Sequence, residues 1–210
     1  MANNTQRYGF RRFATLGGGG CPEPVDLEVA TGYQATDASA RSVDLNPGDP
    51  IKILAAGTGA LAGLGDTVYG IMVGVKQYWD GTVVRPGASL PGATAWGTIE
   101  ARRSIIQVIP AKLCIWEIDV DDNTTATTAA AYRLLYGSNG DAAVPGDGNG
   151  KASPVLDVSD LDTTATNTWR FLRVSPTVEN KDLSGTRVKV LVRVNDSAEA
   201  GAAATPQDGL

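Results

Sequence analysis

Residues 186–195 read TRVKVLVRVN, and no other stretch of the chain states its conformation so plainly. Val188, Val190, Val192 and Val194 recur at every second position, with Arg187, Lys189 and Arg193 between them. That is the period of a β-strand with one apolar and one charged face. Valine is stiff at χ1 and suits an extended backbone. A slip of one residue would carry the cations into the core, so the register is expected to be firmly set, with the charged face outward.

The same alternation recurs upstream. Within 113–120, LCIWEIDV, residues Cys114, Trp116, Ile118 and Val120 share one face, and Glu117 and Asp119, followed by Asp121, take the other. Glu117 beside Asp119 has the outline of a glycosidase carboxylate pair, but same-face neighbours on a strand are expected to face solvent. Residues 103–108 form the other half of this pair of strands, with a break at Pro110. Further strands are predicted at 25–31, 51–55, 67–78, 82–85, 154–158 and 169–174. The 67–78 stretch is apolar on both faces, as a fully buried strand would be.

Turn signals separate these runs. Asn46-Pro47-Gly48-Asp49-Pro50 is a strong one, and Asp80-Gly81 predicts a hairpin. A helix is expected over 124–136, with Asn123 or Thr124 as its cap and Gly137 closing it in the left-handed conformation. The glycine-rich 57–65 segment and residues 137–150 read as loops. The chain has 25 glycines and 11 prolines in 210 residues, which leaves little room for long helices. The expected fold is mainly β: a compact β-barrel or β-sandwich body with one short α-helix and an extended N-terminal arm.

Charge divides the chain into three parts. Residues 1–22 carry Arg7, Arg11 and Arg12 and no acid, whereas the whole chain has a net charge of −5. The reading is a basic arm at 1–22, a β-rich body at 23–195 and a tail at 196–210 without core-forming residues. Three arginines cannot make the broad cationic surface that phosphates require, so no nucleic-acid partner is expected. No apolar run approaches membrane-spanning length, so no membrane partner is expected either. Cys21 and Cys114 are expected to be unpaired thiols in a protein that folds in a cytoplasm.

The chemistry-bearing motifs mostly fail. There is no histidine, which removes Ser-His and Cys-His nucleophile pairs and the common catalytic zinc sites. Gly57-x-Gly59-x-x-Ala62 matches a loose dinucleotide fingerprint, but a crossover helix does not fit before the next strand. Asp119-Val120-Asp121-Asp122-Asn123 begins like a calcium loop, yet Thr124 and Ala130 occupy the positions that need Gly and Glu. Asp157, Asp160 and Asp162 read as a solvated turn. No catalytic residue, metal site or cofactor is expected, and the chain reads as non-enzymatic. Of the four tryptophans, Trp116 and Trp169 sit in alternating strands and belong in a core. Trp79 and Trp96 border loops, where a carbohydrate-binding module would use them.

A further pattern lies in the order of elements. A polar start leads to Tyr8-Gly9-Phe10-Arg11, then to Gly48-Asp49-Pro50 before an apolar strand, then to CIWEIDVD at 114–121. The closing block is RFLRVSPTVEN at 170–180, followed by RVKVLVRVN at 187–195. This order resembles the capsid decoration (cement, head-stabilising) proteins of tailed bacteriophages. The resemblance implies a β-barrel-like body on the outer surface of the mature capsid, assembled in the host cytoplasm and bound without covalent links to the major capsid protein. It also implies a homo-oligomer, for which a trimer suits a hexagonal lattice better than a dimer. Arg7, Tyr8, Phe10, Arg11, Arg12 and Phe13 are then the expected capsid- or subunit-binding residues: aromatic anchors among forked donors. The alternatives are another virion part, such as a tail or head fibre, or a carbohydrate-binding β module.

Overall fold

The computed structural model describes residues 9–18, 20–29, 44–63, 65–79, 84–87, 89–90, 104–121, 126–143, 154–159, 161–164, 167–177, 180, 182–184 and 187–195. In chain order the strands are β1 (Arg11–Thr15), β2 (Val25–Val29), β3 (Pro50–Ile53), β4 (Gly59–Leu61), β5 (Gly70–Trp79), β6 (Val84–Gly87) and β7 (Ser104–Pro110). A 3₁₀ turn over Ala111–Leu113 leads to β8 (Cys114–Asp119), then to the helix α1 (Ala129–Leu134). After it come β9 (Asn139–Gly140), β10 (Ala142–Ala143), β11 (Val155–Leu156), β12 (Trp169–Val174) and β13 (Lys189–Val194). Among the described residues the protein is mainly β, with one short α-helix and a closed five-stranded barrel.

The barrel is built by the first half of the chain. Strand β3 pairs with β4, β4 with β2, β2 with β7, β7 with β5, and β5 returns to β3, which closes the ring. Only the β2–β4 contact is parallel. Strand β6 hangs on the outside of β5. Leu27, Val29, Ile51, Leu61, Met72, Val75, Ile106 and Val108 pack with Leu45 and Leu90 as the barrel's core.

The second half of the chain makes an antiparallel sheet in the order β1-β8-β13-β12-β9, to which β1 comes from the far side of the barrel in sequence. The whole barrel is thus an insertion between two adjacent strands of this sheet. A second core gathers Trp116, Ile118, Trp169, Phe171, Val190, Val192 and Val194 with Tyr132 of α1 and Leu156 of β11. The barrel also contributes to it: Ile71 and Ile109 belong to this core, while their neighbours Met72 and Val108 belong to the barrel's own. The two-residue period of a strand thus assigns alternate residues to different cores.

The 46–50 turn forms as read. Gly48 takes φ +98°, the Asp49 N–H bonds the Asn46 carbonyl at 3.0 Å, and the Asn46 N–H donates to Asp49 Oδ2 at 2.7 Å. Asp49 is buried, and that burial pushes its carboxyl well above the ordinary carboxylate range, against the opposing effect of the Asn46 bond. Trp116 and Trp169 are both core residues, as expected.

Other expectations need correction. The 57–65 segment is a surface loop only in part: Gly57, Gly63 and Gly65 are exposed, but Gly57, at φ +79°, turns a hairpin from β3 into β4, and Gly59, Ala60 and Leu61 are all buried. A Cβ on Gly59 would lie 2.7 Å from the Leu27 Cδ2, so this glycine serves a close strand approach that composition alone reads as flexibility. Strand β5 is not buried on both faces, because Val73 is 37% exposed beside a bulge. Strands β7 and β8 do not pair with each other; the 3₁₀ turn after Pro110 passes the chain from the barrel to the second sheet. The helix is shorter than expected, and Thr128 caps it by accepting the Ala131 N–H at 3.2 Å. Gly137 does take the left-handed conformation, at φ +84°. Two short strands, β9 and β10, lie in the expected 137–150 loop. The Asp80-Gly81 turn, Asn123, Thr124, Trp96 and the 196–210 tail lie outside the described residues.

Candidate functional site

The largest departure from the sequence reading is also the most informative place in the molecule. Glu117 and Asp119 on β8 and Lys189 on β13, expected to face solvent, are buried at 3%, 6% and 3% exposure. The strand sides that alternate charge with valine are covered, so their charges must be paired to stay.

Strand register does the pairing. Lys189 lies directly opposite Asp119 across β13 and β8, and its ammonium donates to Asp119 Oδ1 at 2.8 Å. Arg11 lies directly opposite Glu117 across β1 and β8, and its Nε donates to Glu117 Oε1 at 3.0 Å. The Ser175 hydroxyl, just past β12, donates to the other Glu117 oxygen. Strand β8, between β1 and β13, therefore presents two carboxylates, one held by a cation from each flanking strand. Burial pushes the Asp119 carboxyl up, while the Lys189 bond and charge pull the other way.

Asn180 locks the far end of this arrangement. Its side-chain amide donates to the Ser175 carbonyl at 2.8 Å and the Lys189 carbonyl at 2.7 Å, and its Oδ1 accepts the Lys189 N–H at 2.7 Å. Between β1 and β8, Gly9, Arg11, Glu117, Ile118, Asp119 and Lys189 line a cavity of about 10 Å³, about the room one water needs. Asp119 Oδ2 has no hydrogen-bond partner among the described residues.

Beside the charges lies an apolar anchor. Phe10 is 4% exposed, and its ring stacks on Trp169 with centroids 4.2 Å apart and planes 28° from parallel. The Phe10 N–H bonds the Gly48 carbonyl at 2.8 Å. Gly9 turns the chain into this seat at φ +63°, where a Cβ would stand 2.6 Å from the Gly48 oxygen, so only glycine fits. Residues 9–15 thus dock onto the body as an edge strand with a buried aromatic plug.

The expected binding residues divide accordingly. Phe10 is buried, Arg11 is exposed but reaches back to the buried Glu117, and Arg12 and Phe13 are exposed. Arg7 and Tyr8 lie outside the described residues. Sequence reasoning missed Ser175, Asn180 and the pairing role of Lys189. The available signal was a lone lysine at the head of an apolar strand and acids at matching positions on a predicted neighbour.

The remaining motifs resolve into local structure. Gly57–Ala62 is the β3–β4 hairpin. Asp121 accepts the Val158 N–H at 3.2 Å, and Asp157 and Asp162 each bind the backbone N–H two residues on. Cys21 is exposed and Cys114 buried, and neither is in a disulfide. No group of three or more acids or thiols is placed to hold a metal ion among the described residues. No protein-family model, no curated protein and no solved structure matches this chain.

Proposed function

We propose that this chain is a capsid decoration protein of a tailed bacteriophage, bound to the outer surface of the mature head and stabilising it through non-covalent contacts with the major capsid protein. One observation carries the reading. Three of the stretches behind the resemblance are 8–11, 114–121 and 170–195, and these contribute to β1, β8, β12 and β13, four consecutive strands of one sheet. Elements that are far apart in sequence make one contiguous unit, the kind of surface on which a lattice contact is built.

The chemistry of the buried cluster fits a structural role. Glu117 is held by the Arg11 guanidinium and the Ser175 hydroxyl, and Asp119 by the Lys189 ammonium, around a cavity too small for a substrate. On this reading the protein is not an enzyme, needs no cofactor, and acts by mass action. A protein that binds only the mature lattice stabilises it by RT ln(1 + [L]/Kd) per site, about 2.7 kcal/mol at a hundredfold excess over Kd. Arg12 and Phe13 offer an exposed guanidinium and ring for the lattice, while Phe10 and Arg11 position them. Arg7 and Tyr8 would extend that contact. A closed homo-oligomer, a trimer before a dimer, fits the three-fold positions of such a shell.

The test is the copy number of this chain in purified particles from its source, by quantitative mass spectrometry against the main shell protein. A ratio near one per shell subunit supports decoration. A few copies per particle moves the protein to a tail or head fibre. Absence from particles discards the viral reading in favour of a carbohydrate-binding module.

A further inference from the structure

We infer that β1 is an exchangeable strand, and that its seat on β8 accepts β1 of a second copy of this chain in place of its own. The inference stands whether or not the chain binds a capsid.

Among the described residues, the contacts that seat β1 come from parts of the chain distant from it in sequence. Gly48 takes the Phe10 N–H, Trp169 stacks on the Phe10 ring, Glu117 takes Arg11, and β8 supplies the ladder. Such a seat cannot distinguish its own strand from another copy's; only the connector's effective concentration favours the internal one.

That connector is built to let go. It contains the 17–20 glycine run, and Gly17, Gly18 and Gly20 have no atom within 4 Å of where a Cβ would be. Gly17, Gly18, Gly20, Cys21, Glu23 and Pro24 are all exposed. Among the connector's described residues from Gly17 to Pro24 only Pro22 is even half-buried, and glycine-rich chain is freely jointed.

A second observation points to the occupant. Phe13 and Leu16 are each 40% exposed, Leu113 is 42% exposed, and Val25, which opens the strand after the connector, is 40% exposed. The Leu16 N–H bonds the Leu113 carbonyl, so these two side chains flank the point where the connector leaves the sheet. Four large apolar side chains, on or next to the strands at the connector's two ends, are thus more than a third exposed in a single copy. Two connectors crossing there would cover them, which offsets the entropic advantage of the internal strand.

Register supplies a trap. Thr15 sits opposite the buried Cys114. A Thr15→Cys, Cys21→Ser variant is folded at several concentrations, oxidised with diamide at mildly alkaline pH, and run on a denaturing gel without reductant. The expected result is a covalent dimer or larger ring that reductant dissolves, with a fraction that rises with concentration. Cys21→Ser alone should give none. Deleting two of the four glycines should raise the multimer fraction further. A monomer with an internal bridge at every concentration overturns the inference. So does the lack of any bridge in a protein whose circular dichroism is that of the parent, because β1 would then not be seated on β8 at all.

Discussion

The Lys189 ammonium lies 2.8 Å from the Asp119 carboxylate, with both side chains buried and directly opposite one another on neighbouring strands. In such a pair the loss of one charge is worse than the loss of both. Removing a single partner of a buried pair costs about 3–5 kcal/mol, whereas replacing both with apolar residues is often neutral. Lys189→Met is therefore expected to lower unfolding free energy by about that range. The double variant with Asp119→Leu should recover most of it. Urea denaturation of the four proteins in the cycle measures the coupling, and simple additivity would contradict the pairing.

Asp49 gives a pH dependence with a defined sign. Burial raises its folded-state pKa above the unfolded value, so between the two the folded state holds more protons. Stability from this group is fully present below the unfolded pKa, about 3.9, and is lost as pH rises through the folded one. Asp49→Asn keeps an acceptor for the Asn46 N–H without the charge. It should be more stable than the parent at pH 8, and the gap should close as pH falls toward 4. Denaturation midpoints at pH 8, 6 and 4.5 check this; a gap that grows on acidification would contradict it.

Phe10→Ala empties the seat beside Trp169. Truncating a buried Phe costs about 3–5 kcal/mol when the whole domain must bear the cavity. An edge strand has another way out, since it can open locally at less than the global cost. The expected outcome is a smaller global loss, with hydrogen-exchange protection of the β8 amides facing β1 dropping at least tenfold and protection in the barrel unchanged.

Arg11 and Glu117 should respond unequally although they are partners. The Arg11 side chain is 47% exposed and Glu117 is 3% exposed. Arg11→Ala leaves Glu117 with the Ser175 hydroxyl, and an exposed pairing partner contributes about 1 kcal/mol or less. Glu117→Ala strands a buried hydroxyl as well, at a further cost of about 1–3 kcal/mol. Thermal or urea unfolding of the two variants separates these values.

The strands were legible where period and packing agree. Strand β12 matches its predicted bounds, and β2, β8 and β13 differ from theirs by a few residues, because valine, isoleucine and tryptophan alternate there. Burial of the polar side was not legible. The alternation in 113–120 marks two faces but does not say that both are covered; that depends on β1 and β12 arriving from elsewhere. Gly59 misled for a related reason: a glycine that makes room for Leu27 looks, in sequence, like one that makes a loop. The Asn180 clamp had no signal at all, because an asparagine in a polar loop declares nothing about the carbonyls it will meet.

The place of the barrel between β1 and β8 has a consequence for synthesis. Arg11 and Glu117 are 106 residues apart, and at roughly 5–20 residues per second a ribosome needs several seconds to travel that far. Through that interval β1 is made but β8 is not, while the barrel's strands emerge in turn and are complete once β7 is made, before β8. The earliest strand of the nascent chain is therefore among the last to find its place. During this wait, neighbouring chains on the same message carry the same unattached strand.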